Sequence, residues 1–353
     1  MTVTARDLGD EAVGRVDAAN QLADILDLPE HLRDALWRVS SADIGDWDSR
    51  NGLVVAGMGG SAIGGDLARV ALGDHASRPI ITARDYGLPG WTTPDTTVLC
   101  ASYSGETEET LAAFDAAGAL GARRVAVTTS GKLAELARAE SVPVIPLPGG
   151  FQPRVAVAYM TVAALEVAAA CGASPRMASE IDVAAAHIDQ LCAEWGPEAD
   201  DGNIAKEVAL ALNGSVPVIA GAGLTAPVAY RWKTQINENA KLPAFAGELP
   251  ELDHNEIVGW QGTAGLGSFA AVFLEDADQH PRIGDRIELT SELIAEHATT
   301  VIRATTRGQG AVERVMSLVL LGDLVSLYLA VLRGIDPTPV RVIDDLKARL
   351  AER

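Results

Sequence analysis

A chain of 353 residues, 48% hydrophobic and 22% charged, is too long for one ordinary core and suits two domains of about 150 residues each. A net charge of −20 argues against a nucleic-acid partner, and any anionic ligand must be held by local donors because the overall field opposes it. No uninterrupted apolar window of about 18 residues predicts a membrane span, the acidic N-terminus does not read as a signal peptide, and the three scattered cysteines (Cys100, Cys171, Cys192) point to a reducing compartment. The expectation is a cytoplasmic protein with no nucleic-acid or membrane partner.

Residues 10–40 carry Leu22, Ile25, Leu26, Leu32, Leu36 and Trp37 near helical spacing, with Pro29 breaking the run. The first strand signal is GLVVAG (52–57), followed by glycines and an apolar-periodic helix over 61–72. TTVLCAS (96–102) leads into a polar loop and a helix from about Thr107, RRVAVTTS (123–130) into a helix through Lys132–Ala139, and VPVIPL (142–147) closes the series. Short apolar strands alternating with helices predict a parallel sheet covered on both faces. Residues 153–171 read as a long buried helix. After the polar stretch 194–203 the pattern restarts: SVPVIAGAGLTAPVAYRWKTQI (215–236) echoes residues 52–72, and SFAAVFLED (268–276) and ATTVIRAT (298–305) add two strands. The expected fold class is α/β, with an N-terminal helical extension (1–48) and two similar halves (49–195 and 196–353), each a parallel sheet flanked by helices.

The first chemical signal is GMGGSAIGGDL (57–67) at a strand-to-helix junction, where glycines allow close approach of a ligand and a helix N-terminus offers unpaired N–H groups. A dinucleotide site and a tight turn without a ligand have similar glycines. SYSGETEET (102–110) narrows the choice, because it gathers Ser102, Ser104 and Thr107 in one loop that opens a helix. Hydroxyls can donate to phosphate without adding charge, whereas a dinucleotide site wants an acid at the end of the second strand. Helix capping explains one of these hydroxyls, not three. The matching strand end in the second half, LEDADQHPR (274–282), is acidic, so one monophosphate site, in the first half, is expected.

These two segments resemble the sugar isomerase (SIS) domain, and two in tandem resemble the phosphoglucose isomerase superfamily. INENAKLPAFAGELPELDHNEIVGW (236–260) is similar to the signature of the bifunctional phosphoglucose/phosphomannose isomerases, and the resemblance runs from about residue 50 to the end. It implies that Gly60 and Ser61 contact the sugar phosphate and that Ser102, Ser104 and Thr107 form the phosphate loop. Arg154 matches an arginine near the reacting part of the sugar, Glu238 the carboxylate that moves the C1/C2 proton, His254 the histidine of ring opening, and Lys347 a lysine that assists it. A hexose 6-phosphate substrate and a homodimer with His254 reaching the neighbouring subunit's site are implied, with no metal or organic cofactor. Glu106 is a departure, since the family more often has Asn there. The extension before residue 50 is another.

The residues themselves fit aldose–ketose chemistry. One carboxylate over one face of the sugar can take a proton from C2 and return it to C1, and partial burial would tune such a group. By composition alone Glu238 reads as a solvated helix-end glutamate, His254 as an exposed loop histidine, Arg154 as half of a surface ion pair and Lys347 as part of a solvated helix tail. Glu251, Asp253 and Glu256 lie near His254, but no HxH or HExxH spacing marks a metal site. Two rivals stand beside the isomerase: a non-catalytic sugar-phosphate-binding regulator, and an aminosugar-phosphate isomerase, which would need an ammonia source and has no N-terminal cysteine nucleophile here.

Overall fold

A computed structural model describes residues 4–199 and 201–353. The chain divides into two compact units. The first holds Asp27–Gln190 and Thr306–Ser317, and the second holds the residues up to Leu26, Leu191–Thr305 and Leu318–Arg353.

The N-terminal region forms three helices, α1 (Asp10–Gly14), α2 (Gln21–Leu26) and α3 (Leu28–Ser41). Pro29 does not sit inside a broken helix; it stands in the first turn of α3, where its missing N–H is not needed. The helical extension is shared between the units, with α1 and α2 in the second and α3 in the first. Leu28, Leu32, Ala35 and Val39 form the buried stripe of α3, which packs on α7 (Val157–Ala170).

The first unit continues with β1 (Leu53–Gly57), α4 (Gly59–Leu72), β2 (Ile80–Ala83), β3 (Thr97–Ala101), α5 (Glu108–Leu120), β4 (Arg123–Thr128), α6 (Gly131–Ala139) and β5 (Val144–Pro146), then α7 and α8 (Ala178–Trp195), whose last turn crosses into the second unit. All pairings are parallel, in the order β2-β1-β3-β4-β5. Both faces of β1 and β3 are buried, as expected of strands without polar alternation. The second unit has α9 (Ile204–Leu212), β6 (Val216–Ala222), α10 (Ala226–Asn239), β7 (Phe245–Leu249), β8 (Phe269–Glu275), α11 (Pro281–Ile294) and β9 (Thr300–Thr305). Its sheet is also parallel, in the order β7-β6-β8-β9. α12 (Ala311–Leu332) and α13 (Arg341–Ala351) complete the chain. α12 is long and apolar enough by composition to cross a membrane, but 89% of its apolar window is buried inside the protein, so it reads as a core helix.

The fold class expected from the sequence is therefore the one observed. β2 and β7, which the apolar pattern does not announce, are both edge strands.

His31 in α3 gives the first unit a pH dependence. Its ring is buried beside Phe151 and Tyr159, with centroids 4.8 and 5.3 Å away, and its Nδ1 finds no hydrogen-bond partner among the described residues. Burial holds its pKa below the ordinary 6.5, against the opposing pull of Asp27, Asp34 and Glu30. Between the folded and unfolded pKa values the unfolded chain binds more protons, so stability is full above pH 6.5 and falls as the pH drops below it. The slope from one proton is at most about 1.4 kcal/mol per pH unit. Urea midpoints between pH 7.5 and 5.5 measure it, and His31→Phe should flatten that part of the curve.

Candidate active site

In the first unit the strand order reverses at β1, which places a crevice off the carboxyl ends of β1 and β3. Those two ends deliver the GMGGS and SYSGET segments. Ser102 is buried, and its Oγ lies 2.8 Å from Thr107 Oγ1 and accepts the Gly105 N–H at 3.0 Å. Ser61 Oγ accepts the Tyr103 N–H at 3.2 Å, and Ser104 Oγ accepts the Glu106 N–H at 3.2 Å. Thr107 occupies the N-cap position of α5 but makes no side-chain cap bond, so capping does not account for its hydroxyl.

Gly60 allows the next approach. A Cβ there would fall 2.8 Å from the Pro153 oxygen and 3.1 Å from Arg154 Cα, so only glycine lets residues 153–154 lie against the start of α4. Arg154 is 3% exposed, which rules out the surface ion pair, and its Nη1 donates to Gln152 Oε1 at 3.3 Å. Tyr103, which the sequence does not single out, ties this segment to the hydroxyl loop: its Oη accepts from the Phe151 N–H at 2.9 Å and donates to the Pro148 carbonyl at 3.2 Å. Gly60, Ser61, Ser102, Ser104, Thr107 and Arg154 thus belong to one neighbourhood. Glu106 is exposed, and one of its carboxylate oxygens is turned to a helix start. Its Oε1 accepts the Lys132 N–H at 2.9 Å in the first turn of α6, where a helix N-terminus favours negative charge.

The equivalent crevice of the second unit, between β6 and β8, is spanned by Thr225. Its hydroxyl donates to the Leu274 carbonyl at 2.8 Å and accepts the Ala222 N–H at 2.9 Å. Beyond it, Glu275 takes both bonds of the Arg303 guanidinium, at 2.6 and 2.9 Å. No hydroxyl cluster faces that crevice among the described residues.

Glu238 lies in the last turn of α10, half-buried. Trp232, Gln235, Ile236 and Asn239 turn the buried stripe of that helix inward. The flanking amides divide the work of ending it. Asn237 Nδ2 donates to the Leu242 carbonyl at 2.9 Å, while Asn239 points into the core. Lys241, with φ at +51°, turns the chain, and its ammonium donates to the Pro337 carbonyl at 2.9 Å and to the Glu238 carbonyl. Glu238 lines an open cavity of about 890 Å³ whose other walls, including Leu242, Phe245, Ile335 and Pro339, are mainly apolar.

His254 and Lys347 are not among the residues lining that cavity. His254 is exposed at the end of a single 3-10 turn, Glu251–His254, that follows β7. The turn is anchored by Asp253, which accepts from Arg286 Nη1 and Thr290 Oγ1 of α11, both at 2.8 Å. Lys347 is exposed on α13. Among the described residues no group of three or more His, Cys, Asp and Glu side chains is arranged to hold a metal ion.

Comparison with known proteins finds relatives in sequence and in fold. Residues 201–350 match the family model described as the bacterial phospho-glucose isomerase C-terminal SIS domain. The bifunctional phosphoglucose/phosphomannose isomerase of Caldicellulosiruptor bescii is 42% identical over 303 residues, covering 85% of this chain and 89% of the relative. Its counterpart from Aquifex aeolicus is 35% identical over 301 residues, covering 85% of this chain and 90% of the relative. A glucose-6-phosphate isomerase like protein from Thermus thermophilus has the same fold, with a TM-score of 0.61 at 19% identity, covering 96% of this chain and 98% of the other.

Proposed function

The chain belongs to the bifunctional phosphoglucose/phosphomannose isomerase family, and from that premise we propose that it interconverts glucose 6-phosphate and mannose 6-phosphate with fructose 6-phosphate in the cytoplasm. The observation that carries the reading is the hydroxyl loop at the switch point of the first sheet, with Ser102 buried at its base, joined through Gly60 to a buried arginine. Within this reading residues 49–195 and 196–353 delimit the two SIS halves.

Ser102, Ser104, Thr107 and Ser61 hold the phosphate with hydroxyls, and Gly60 contacts it through its backbone at the start of α4, which suits an acidic protein that has little positive field to offer. His254, assisted by Lys347, opens the pyranose by moving a proton between the O1 hydroxyl and the ring oxygen. Glu238 then takes the C2 proton, and the electron pair shifts to give an enediolate. The Arg154 guanidinium steadies the developing oxyanion, an interaction strengthened where water is excluded. The O2 hydroxyl proton passes to O1 across the enediolate, and returning the proton from Glu238 to C1 completes the ketose. Glucose and mannose 6-phosphates differ only at C2, and the planar intermediate erases that difference, so one site serves both. The chemistry needs only proton transfer between these groups, so we expect it to run without a metal or organic cofactor, and EDTA should leave the rate unchanged.

Two features favour a homodimer in which His254 serves the partner's Glu238. Glu238 precedes the amino end of β7 and His254 follows its carboxyl end, and five residues of strand, about 13 Å, separate those ends. In addition, α13 leaves Val342, Ile343, Leu346 and Leu350 exposed at helical spacing, an apolar face that a second copy would cover.

A coupled assay on both aldose phosphates tests the activity. Tight binding of sugar phosphate without turnover would replace this reading with a sugar-phosphate-binding regulator. Subunit mixing tests the dimer. Glu238→Gln and His254→Ala, each inactive alone, should regain up to about a quarter of wild-type activity when exchanged, since half the dimers are mixed and one of their two sites is intact. No recovery after verified exchange would place both residues in one copy's site.

A further inference from the structure

We propose that Gln21 and Asn239 are positioning residues for Glu238, an inference that rests on the reading of Glu238 as the base. Glu238 and Asn239 are neighbours in the last turn of α10, so their side chains leave the helix about 100° apart, and whatever fixes one fixes the rotation of the other. Asn239 is fixed from both sides. Gln21 Nε2 donates to its Oδ1 at 2.9 Å, and its Nδ2 donates to Ser326 Oγ at 2.8 Å. Ser326 Oγ in turn donates to the Asp323 carbonyl of α12 at 2.7 Å. Gln21, Asn239 and Ser326 are no more than 1% exposed. The outer end of the chain is equally firm, because the buried Asp17 carboxylate accepts the N–H groups of Gln21 and Leu22, at 2.9 and 2.8 Å, where α2 begins.

Three apolar side chains of similar size would fill this space without polar atoms to satisfy, so packing alone does not require the chain. An amide held between two directional partners adds registration, a single rotation and height for the last turn of α10. A carboxylate that shuttles a proton between two adjacent carbons must be held to about 0.5 Å, and a misplacement of about 1 Å costs on the order of 100-fold. The N-terminal segment thereby becomes part of the catalytic machinery's support, reaching across 218 residues of sequence to the residue beside the base.

Gln21→Met, nearly isosteric and without a donor, tests the proposal in the full-length chain by steady-state kinetics and thermal unfolding. We expect kcat on both aldose phosphates to fall about 10- to 100-fold with KM changed less than about threefold. The Gln21→Met/Asn239→Leu double variant should lose no more kcat than the worse single one, as for residues acting as one unit. A lowered Tm with wild-type kcat would mark a merely structural role and overturn the proposal. Should Gln21→Met not fold, Gln21→Asn, one methylene short of Asn239, carries the same expectations. Glu238→Gln separates the two readings. If that variant keeps full rate, the base assignment fails and takes this inference with it; if it loses turnover while Gln21→Met keeps wild-type kcat, only the positioning role fails.

Discussion

Glu238→Gln should lower kcat by about 100- to 10,000-fold on both glucose 6-phosphate and mannose 6-phosphate, and by the same factor on each. The amide is isosteric with the carboxylate, and Glu238 is only half-buried at a helix end, so the fold and Tm should hold. The phosphate grip is assigned to hydroxyls of the first unit, which the substitution does not touch, so KM should change little. Equal loss on the two aldoses is the discriminating part. If one carboxylate serves a shared enediolate, it removes the C2 proton from either epimer, and neither has a detour. Unequal loss would mean that a second base handles one epimer. Full retention of rate on both would remove Glu238 from the mechanism. Exchange in deuterium oxide gives an independent readout, since wild type should place deuterium at C2 of recovered aldose phosphate and the variant should not.

The sequence exposes some of this architecture and hides the rest for a physical reason. Central strands of a parallel sheet bury both faces, so Leu53–Gly57, Thr97–Ala101 and Phe269–Glu275 stand out as apolar runs between turn residues. Edge strands bury less. Ile80–Ala83, only four residues long, and Phe245–Leu249, with a glycine and a glutamate in its five residues, go unread, whereas the edge strands Val144–Pro146 and Thr300–Thr305 still stand out. The hydroxyl loop is legible because Ser102, Ser104 and Thr107 fall within one short segment. Arg154 needed a tertiary contact to be understood, for nothing local says that Gly60 exists to admit its backbone. Glu106 is the instructive case. The sequence shows it only as a departure from the family pattern, and the structure shows one of its carboxylate oxygens bonded to the first turn of α6. The roles of Asn237 and Asn239 in the signature were equally hidden, because the two amides flanking Glu238 bond in different directions, one to its own turn and one to residues 218 and 87 positions away.

The largest stability effect should come from Asp323→Ala, which we expect to cost about 3–5 kcal/mol. Asp323 on α12 is 4% exposed, and its carboxylate takes Arg231 of α10 in a two-pronged pair, Nε to Oδ1 at 3.1 Å and Nη2 to Oδ2 at 2.5 Å, while Oδ1 also accepts Gln235 Nε2 at 2.8 Å. Removing the acid takes the two-pronged partner from a guanidinium that is 1% exposed, a charge that cannot neutralise itself by losing a proton. The penalty is the desolvation of Arg231 left without this partner, not the worth of the pair. It follows that Arg231→Met/Asp323→Leu, which deletes both charges and keeps the volume, should be far milder than Asp323→Ala, within about 1–2 kcal/mol of wild type. For a unit of this size the single variant should lower Tm by about 10 °C. A double variant as unstable as the single one would mean that the pair itself, through its two-pronged geometry and the Gln235 bond, holds α10 to α12. In that event Glu238 would depend on the charged cluster as well as on the amide chain at Asn239, and its kcat at low temperature, where the variant is still folded, would fall with it.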